Sequence, residues 1–397
     1  MPEAGPGAAA GGCAAPEAAA GPPLGRAALP AALGAGPREA GPHGVGQRGL
    51  GRRGLLAAGA VLPLAVPALR PGAAQAQPAG VVLEEFLVPG GDNGVQLYLR
   101  NKRPEAGLPS GPGRTVLFVH GATYPASTTF DLPLAGVSWM DYMAGRGFDV
   151  WSVDLRGYGR STRDPAMSRP PEGGAPLTTP DQAVSDLAAA ARFIRERRGL
   201  NKLAHIGWSW GTTLAARFAA ENPTLVEKLV LYAPVWTMPP APADAPPLGA
   251  YRSVTRAQAR EQWLSGVPDN KRAGLIPPGW FEHWADTTFA TDPDGSRQVP
   301  GVLRAPNGVM QDFRENWGRD KPGYDPARLS MPVLLTVAEW DRLTPPDRAF
   351  ALFPLITTSP GKRLVVLGEG THTIMLERNR GTLFQTVQVF LEEPVAG

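Results

Sequence analysis

Cysteine is nearly absent from this chain. Its 397 residues hold one, Cys13, near the N-terminus. The rest of the chain therefore has no disulfide framework, thiolate nucleophile or cysteine metal site to draw on. Histidine is also scarce. His43, His120, His205, His283 and His372 are scattered without metal-ligand spacing, which argues against a metal centre, and no cofactor is implied. A membrane span needs about 20 apolar residues. The best candidate run, ending at Leu69, is shorter and is broken by Pro63 and Pro67, so stable membrane anchoring is not expected.

What is present falls into unlike parts. Residues 1–50 are mostly Ala, Gly and Pro, too poor in apolar surface to offset ordering entropy, and are expected to be a disordered leader. Residues 51–76 contain Arg52-Arg53-Gly54-Leu55-Leu56, an apolar run and Ala74-Gln75-Ala76. That is the layout of a twin-arginine-type signal peptide cleaved after Ala76, which implies passage through export machinery to the periplasm or beyond. Signal peptides begin chains, so the natural start is expected near Val45, with residues 1–44 lying upstream of it. Removing the six Arg and three Glu of residues 1–76 from 39 basic and 36 acidic residues leaves 33 of each. A near-neutral mature chain gives no reason to expect nucleic acid as a partner.

From residue 77 onward, strand and helix patterns alternate. Hairpin-forming runs at Val81–Val88 and Val95–Arg100 come first. Continuous apolar runs follow at Thr115–Val119, Phe148–Val153, Leu203–Ile206, Leu229–Tyr232, Val333–Val337 and Leu364–Leu367, as expected of strands buried on both faces. Helices are expected at Trp139–Arg146, Thr179–Arg198, after Ser209, near Asp347–Phe353 and at about Thr371–Glu392. This alternation argues a mostly parallel α/β sheet flanked by helices. It lapses in residues 234–330, which are rich in Pro and Trp, show helical pieces at Thr255–Leu264 and Trp280–Thr288, and give no clear strand signal. These residues are expected to form a helical cap insertion between core segments 77–233 and 331–397.

The most specific feature is Gly207-Trp208-Ser209-Trp210-Gly211, lying between an apolar run and an Ala-rich helical stretch. A Gly-x-Ser-x-Gly at a strand-to-helix junction is a nucleophile elbow. Reacting groups in such sheets gather at the carboxyl ends of the strands. His120-Gly121, Asp341 and His372 each follow a predicted strand there. The order Ser209, Asp341, His372 matches nucleophile, acid, base.

With Asp154-Leu155-Arg156-Gly157-Tyr158-Gly159-Arg160-Ser161 added, these motifs resemble the α/β-hydrolase fold superfamily, in its cap-bearing, esterase- or lipase-like serine hydrolase form, over roughly Val81–Glu393. The resemblance implies Ser209 as nucleophile, His372 as base and Asp341 as its orienting acid, ahead of Glu339, Asp347 and Asp325. It implies Trp210 and Ala122 N–H groups as oxyanion donors, with Thr123 second to Ala122, and structural roles for His120 and Arg156. His205 is expected to be a satisfied core residue, and His283 either a surface or a pocket residue.

Trp208, Thr123, Tyr124, Trp280, Trp284 and Trp317 are the expected pocket walls. An apolar, aromatic pocket suits an uncharged ester or lactone. A proline-iminopeptidase-like reading would place Glu282 or Asp286 near a substrate amine, but the loop His120-Gly121-Ala122-Thr123-Tyr124-Pro125 departs from the His-Gly-Gly-Pro-Gly of that branch. Carbon–carbon bond hydrolases and perhydrolases share the triad. A catalytically silent binding protein is the non-enzyme alternative.

Overall fold

The computed structural model describes residues 80–108 and 113–394. The expected leader (residues 1–50), signal peptide (51–76) and Cys13 lie outside the described residues. Ten strands are described: β1 (Val81–Pro89), β2 (Gln96–Pro104), β3 (Thr115–Val119), β4 (Asp149–Asp154), β5 (Leu203–Trp208), β6 (Val226–Tyr232), β7 (Tyr251–Thr255), β8 (Val302–Pro306), β9 (Val333–Ala338) and β10 (Lys362–Leu367). Eight of them form one sheet in the order β1-β2-β4-β3-β5-β6-β9-β10. The β1–β2 and β2–β4 pairs are antiparallel, and every later pair is parallel. The mostly parallel α/β architecture expected from the alternation is therefore what the chain adopts.

Alternate residues of the central strands feed two cores. Leu117, Val119, Leu335 and Val337 face one layer, with Leu187, Ala190 and Ile194 of helix Pro180–Arg198. Val116, Phe118, Ile206 and Val230 face the other, with Trp139, Met140, Leu383 and Phe384. Burial on both faces explains why these strands are apolar without alternation. The helix boundaries follow capping chemistry. Thr179 and Gln182 form a capping box, Pro180 opens helix Pro180–Arg198, and Gly199 ends it in the left-handed region (φ 63°). Ser138 and Asp141 do the same for helix Trp139–Ala144.

Two expectations fail. Residues 234–330 contain an antiparallel pair, β7 with β8, registering Tyr251 with Pro306 and Thr255 with Val302. Each strand buries an arginine, Arg252 and Arg304, so neither shows the apolar pattern that marks a strand. The last helix runs over Arg380–Glu392, not from Thr371. Thr371 and Thr373 donate instead to the buried Glu377 carboxyl group, which holds residues 371–377 as a loop with one short helical turn at Ile374–Leu376.

Most of the tryptophans in residues 234–330 serve that segment's own packing. Trp263, Phe281 and Trp284 form a cluster with ring separations of 4.7 to 5.7 Å. The segment rests on the loop after β4: Gly308 N–H donates to Leu177 O (2.8 Å) and Ala250 N–H to Pro171 O (2.7 Å). Among the described residues no helix is long and apolar enough to cross a membrane.

Candidate active site

Parallel pairing puts the carboxyl ends of β3, β5, β9 and β10 on one edge of the sheet. His120, Ser209, Asp341 and His372 therefore emerge on the same side from distant points in the chain.

Ser209 sits between β5 and helix Trp210–Glu221 at φ 54° and ψ −125°. Such a backbone is strained for a residue with a Cβ, and it holds only where its surroundings over-determine it. Here Ser209 N–H donates to Tyr232 O (3.0 Å), and Ser209 O accepts from Thr212 Oγ1 (2.6 Å). The flanking glycines are needed for close approach. A Cβ on Gly207 would lie 2.7 Å from the Gly211 carbonyl carbon, and one on Gly211 would lie 2.6 Å from His120 O. A Cβ on Gly121 would meet Ser209 Cβ at 2.9 Å, so the loop after β3 runs directly against the serine.

His372 Nδ1 lies 2.8 Å from Asp341 Oδ2. Asp341 is buried, and Leu343 N–H (2.9 Å), Thr344 N–H (2.9 Å) and Thr344 Oγ1 (2.8 Å) also donate to it. These donors fix both carboxyl oxygens in place. Trp208, the residue before Ser209, packs its ring 5.3 Å from the His372 ring and donates its indole N–H to His372 O (3.0 Å). Tyr232 OH donates to the same carbonyl (2.7 Å). The imidazole is therefore held from its backbone and from Nδ1, which leaves Nε2 for chemistry.

The competing acids go elsewhere. Glu339 accepts from Glu369 N–H, Asp325 caps a short turn at Ala327, and Asp347 pairs with Arg348. His120 is buried, donates from Nδ1 to Gly121 O (2.8 Å) and accepts Leu155 N–H at Nε2 (3.1 Å). Burial pushes its pKa down to about 4, so it is a neutral structural ring. Arg156 is likewise structural, with Nε 2.7 Å from the buried Asp186 carboxylate. His205 lies fully buried in β5, a core residue as expected, and no side-chain partner reaches either ring nitrogen among the described residues. Its ring packs instead on Phe218 (5.2 Å).

Of the expected pocket residues, Tyr124 is buried against Trp284 (4.7 Å), and Thr123 accepts from Arg252 at its hydroxyl (2.9 Å). Trp280 lies under the Arg380 guanidinium, and Trp317 packs on Phe313. His283 is exposed, on the same helix as Glu282 and Asp286. The latter two pair with Arg260 and Arg256 at the surface. Sequence reasoning did not find Tyr232, Thr344, Arg252, Asp312 or Glu377. Only Thr344, three residues after Asp341, carried a local signal, since a hydroxyl at that offset reaches back to an Asp.

The alpha/beta hydrolase fold profile matches residues 114–379, more than half of the chain. Human Lipase member K is 34% identical over 137 residues, covering 32% of this chain and 34% of that protein. Human Lysosomal acid lipase/cholesteryl ester hydrolase is 25% identical over 187 residues, covering 46% of this chain and 43% of that protein. The chain thus spans less than half the length of these curated relatives. Among solved structures, the 2-hydroxy-6-oxo-6-phenylhexa-2,4-dienoate hydrolase of Rhodococcus sp. strain RHA1 superposes with a TM-score of 0.52 at 19% identity, covering 79% of this chain and 100% of that one. A serine hydrolase involved in carbazole degradation gives 0.52 at 18% identity, covering 78% and 99%. At these identities the structural likeness speaks for the fold alone, but with the profile match it settles the matter: this chain belongs to the alpha/beta hydrolase fold family.

Proposed function

We propose that the chain is an exported serine hydrolase that cleaves carboxylic esters or lactones of uncharged, hydrophobic or aromatic character. The carrying observation is the 2.8 Å contact between His372 and Asp341, with the imidazole packed 5.3 Å from Trp208, the residue before a serine on a strained strand-to-helix turn. In this reading His372 Nε2 takes the Ser209 Oγ proton as Oγ bonds to the substrate carbonyl carbon, and the carbonyl electron pair moves onto oxygen. Trp210 N–H and Ala122 N–H receive that oxyanion. Collapse breaks the bond to the alcohol, which leaves with the proton from His372. Water repeats the sequence on the acyl-enzyme and frees the acid and the serine.

The lipase relatives favour esters over amides. The surface pairing of Glu282 and Asp286 leaves the aminopeptidase reading without its amine-binding acid. The test is fluorophosphonate labelling of purified residues 77–397 with aryl-ester turnover. An adduct on Ser209 is expected, and both signals should vanish in Ser209→Ala. An unlabelled serine in folded protein overturns the reading. Export belongs to the same proposal. Expressed from Val45 onward in a bacterium with a twin-arginine system, the chain should appear outside the cytoplasm, and Arg52→Lys/Arg53→Lys should retain it inside.

A further inference from the structure

We propose that residues 234–330 brace the site: Arg252 and Asp312 reach out of that segment and fix the two backbone stretches that carry the oxyanion donors. They are positioning residues, and the inference rests on the serine-hydrolase reading above.

Arg252 lies in β7. It is almost fully buried and donates through Nη2 to Ala122 O (2.6 Å) and Thr123 Oγ1 (2.9 Å), and through Nη1 to Pro306 O (2.6 Å). Its nearest titratable neighbours are the Tyr158 and Tyr124 phenols, which burial keeps neutral, and burial draws the Arg252 pKa down. A buried guanidinium facing carbonyls instead of a carboxylate is costly, and it persists only where those bonds hold something in place. What they hold is the loop against Ser209. Tyr158 OH donates to the same Ala122 O (2.8 Å), and His120 Nδ1 donates to Gly121 O (2.8 Å). Two successive peptide planes are therefore pinned by their carbonyls. In a trans peptide the N–H points opposite to its C=O, so His120 aims Ala122 N–H through Gly121 O, while Arg252 and Tyr158, on Ala122 O, fix the next plane, that of Thr123 N–H, and so hold the Ala122 backbone from its far side.

Asp312, in helix Gly308–Glu315, does the equivalent on the other side. It is buried, with no salt-bridge partner among the described residues, and its Oδ2 accepts the Trp210 indole N–H (2.8 Å) while Asn316 Nδ2 donates to Oδ1 (2.7 Å). Trp210 opens the helix that follows Ser209, and its own N–H is the other candidate donor. A donor aimed in advance contributes most when it meets charge that exists only in the transition state. Loss of either brace should therefore lower kcat and leave KM nearly unchanged.

The experiment measures kcat and KM on a neutral aryl ester, Ki of an aryl trifluoromethyl ketone that forms a serine hemiketal oxyanion, and fluorophosphonate labelling. The variants are Arg252→Met, Arg252→Lys, Asp312→Leu and Asp312→Asn. Arg252→Met and Asp312→Leu should lose about 10- to 100-fold in kcat, with Ki rising in parallel and KM within about twofold. Arg252→Lys should recover part of the loss, because an ammonium still reaches Ala122 O. Asp312→Asn should recover most of it, because an amide oxygen still accepts from Trp210. Wild type that labels while all four variants stay within twofold overturns this inference and leaves the hydrolase reading standing. So does a loss at Arg252 confined to esters bearing a carboxylate, which would make it a substrate-binding group. Wild type that never labels overturns both. If Arg252→Met and Asp312→Leu fail to fold, kcat in the two conservative variants decides: a loss in KM alone overturns the inference.

Discussion

Asp341 Oδ2 lies 2.8 Å from His372 Nδ1, and three further donors from Leu343 and Thr344 converge on the same carboxylate. This spares Asp341 from depending on the imidazole for its burial. In the proposed mechanism a carboxyl group held in this way selects the Nδ1–H tautomer of His372 and then stabilises the imidazolium.

The consequence for Asp341→Asn is specific. An amide fits the same space but favours the wrong tautomer, so kcat on an aryl ester should fall by about 10³- to 10⁴-fold while the thermal midpoint changes little. Thr344→Val removes one charge-assisted hydrogen bond, of about 1.5–3 kcal/mol. Its kcat should fall by only about 10-fold, since two backbone donors remain. Steady-state kinetics beside a melting curve checks both, and equal losses in the two variants would refute the ordering.

The elbow glycines invite a test of a different kind. A Cβ on Gly211 would press into the carbonyl of His120, in backbone that has no room to yield. Gly211→Ala should destabilise the fold by about 1–3 kcal/mol or more through overpacking, read as a lower urea midpoint. Gly199→Ala makes the contrast. Nothing lies within 4 Å of its Cβ position, and only the positive φ of 63° opposes it, so its cost should stay near about 1 kcal/mol.

The core strands, the mostly parallel character of their sheet and the serine turn were legible because each rests on a local signal. A strand buried on both faces is a short unbroken apolar run, and Thr179-Pro180 with Gly199 brackets a helix whatever surrounds it. The pairing of β7 with β8 was not legible. Its strands lie far apart in the chain, and their arginines are buried only because Asp292 and distant carbonyls receive them. The start of the last helix was misread for a similar reason. Ile374-Met375-Leu376 has the composition of a helix, but Glu377 draws the polar groups of Thr371 and Thr373 away from helical hydrogen bonds. The sequence singled out Ser209, Asp341 and His372 and was silent on the groups that hold them. Arg252 and Asp312 act through contacts that no spacing encodes.

Acid should weaken the fold through two rings. Burial lowers the pKa of His205 to about 3 and of His120 to about 4. In the unfolded chain each titrates near about 6.5. Between those values the unfolded state binds more protons, so stability is full above about pH 6.5 and is lost as pH falls toward the folded values. At pH 5 each ring should cost about 2 kcal/mol. His205→Phe removes one titration next to Phe218 without opening a void. Urea midpoints between pH 8 and pH 5 should fall less steeply in that variant than in wild type, and parallel slopes would contradict the assignment.

Glu377 should produce the opposite slope. Burial raises its pKa to about 7, and the neighbouring Asp341 adds to the rise against the donors from Thr371 and Thr373. The folded state therefore holds a proton that the unfolded chain has released by about pH 4.5. Its contribution to stability is complete below that value and lost as pH climbs through about 7, an amount of order 3 kcal/mol. Glu377→Gln keeps an acceptor for Thr371 N–H and cannot ionise. It should be more stable than wild type at pH 8 and close to it at pH 4.5 by urea unfolding. Its kcat at pH 6 should remain near wild type, because the His372 loop keeps its brace. A variant less stable than wild type at pH 8 would mean that the carboxylate itself, and not the space and acceptor it supplies, holds that loop.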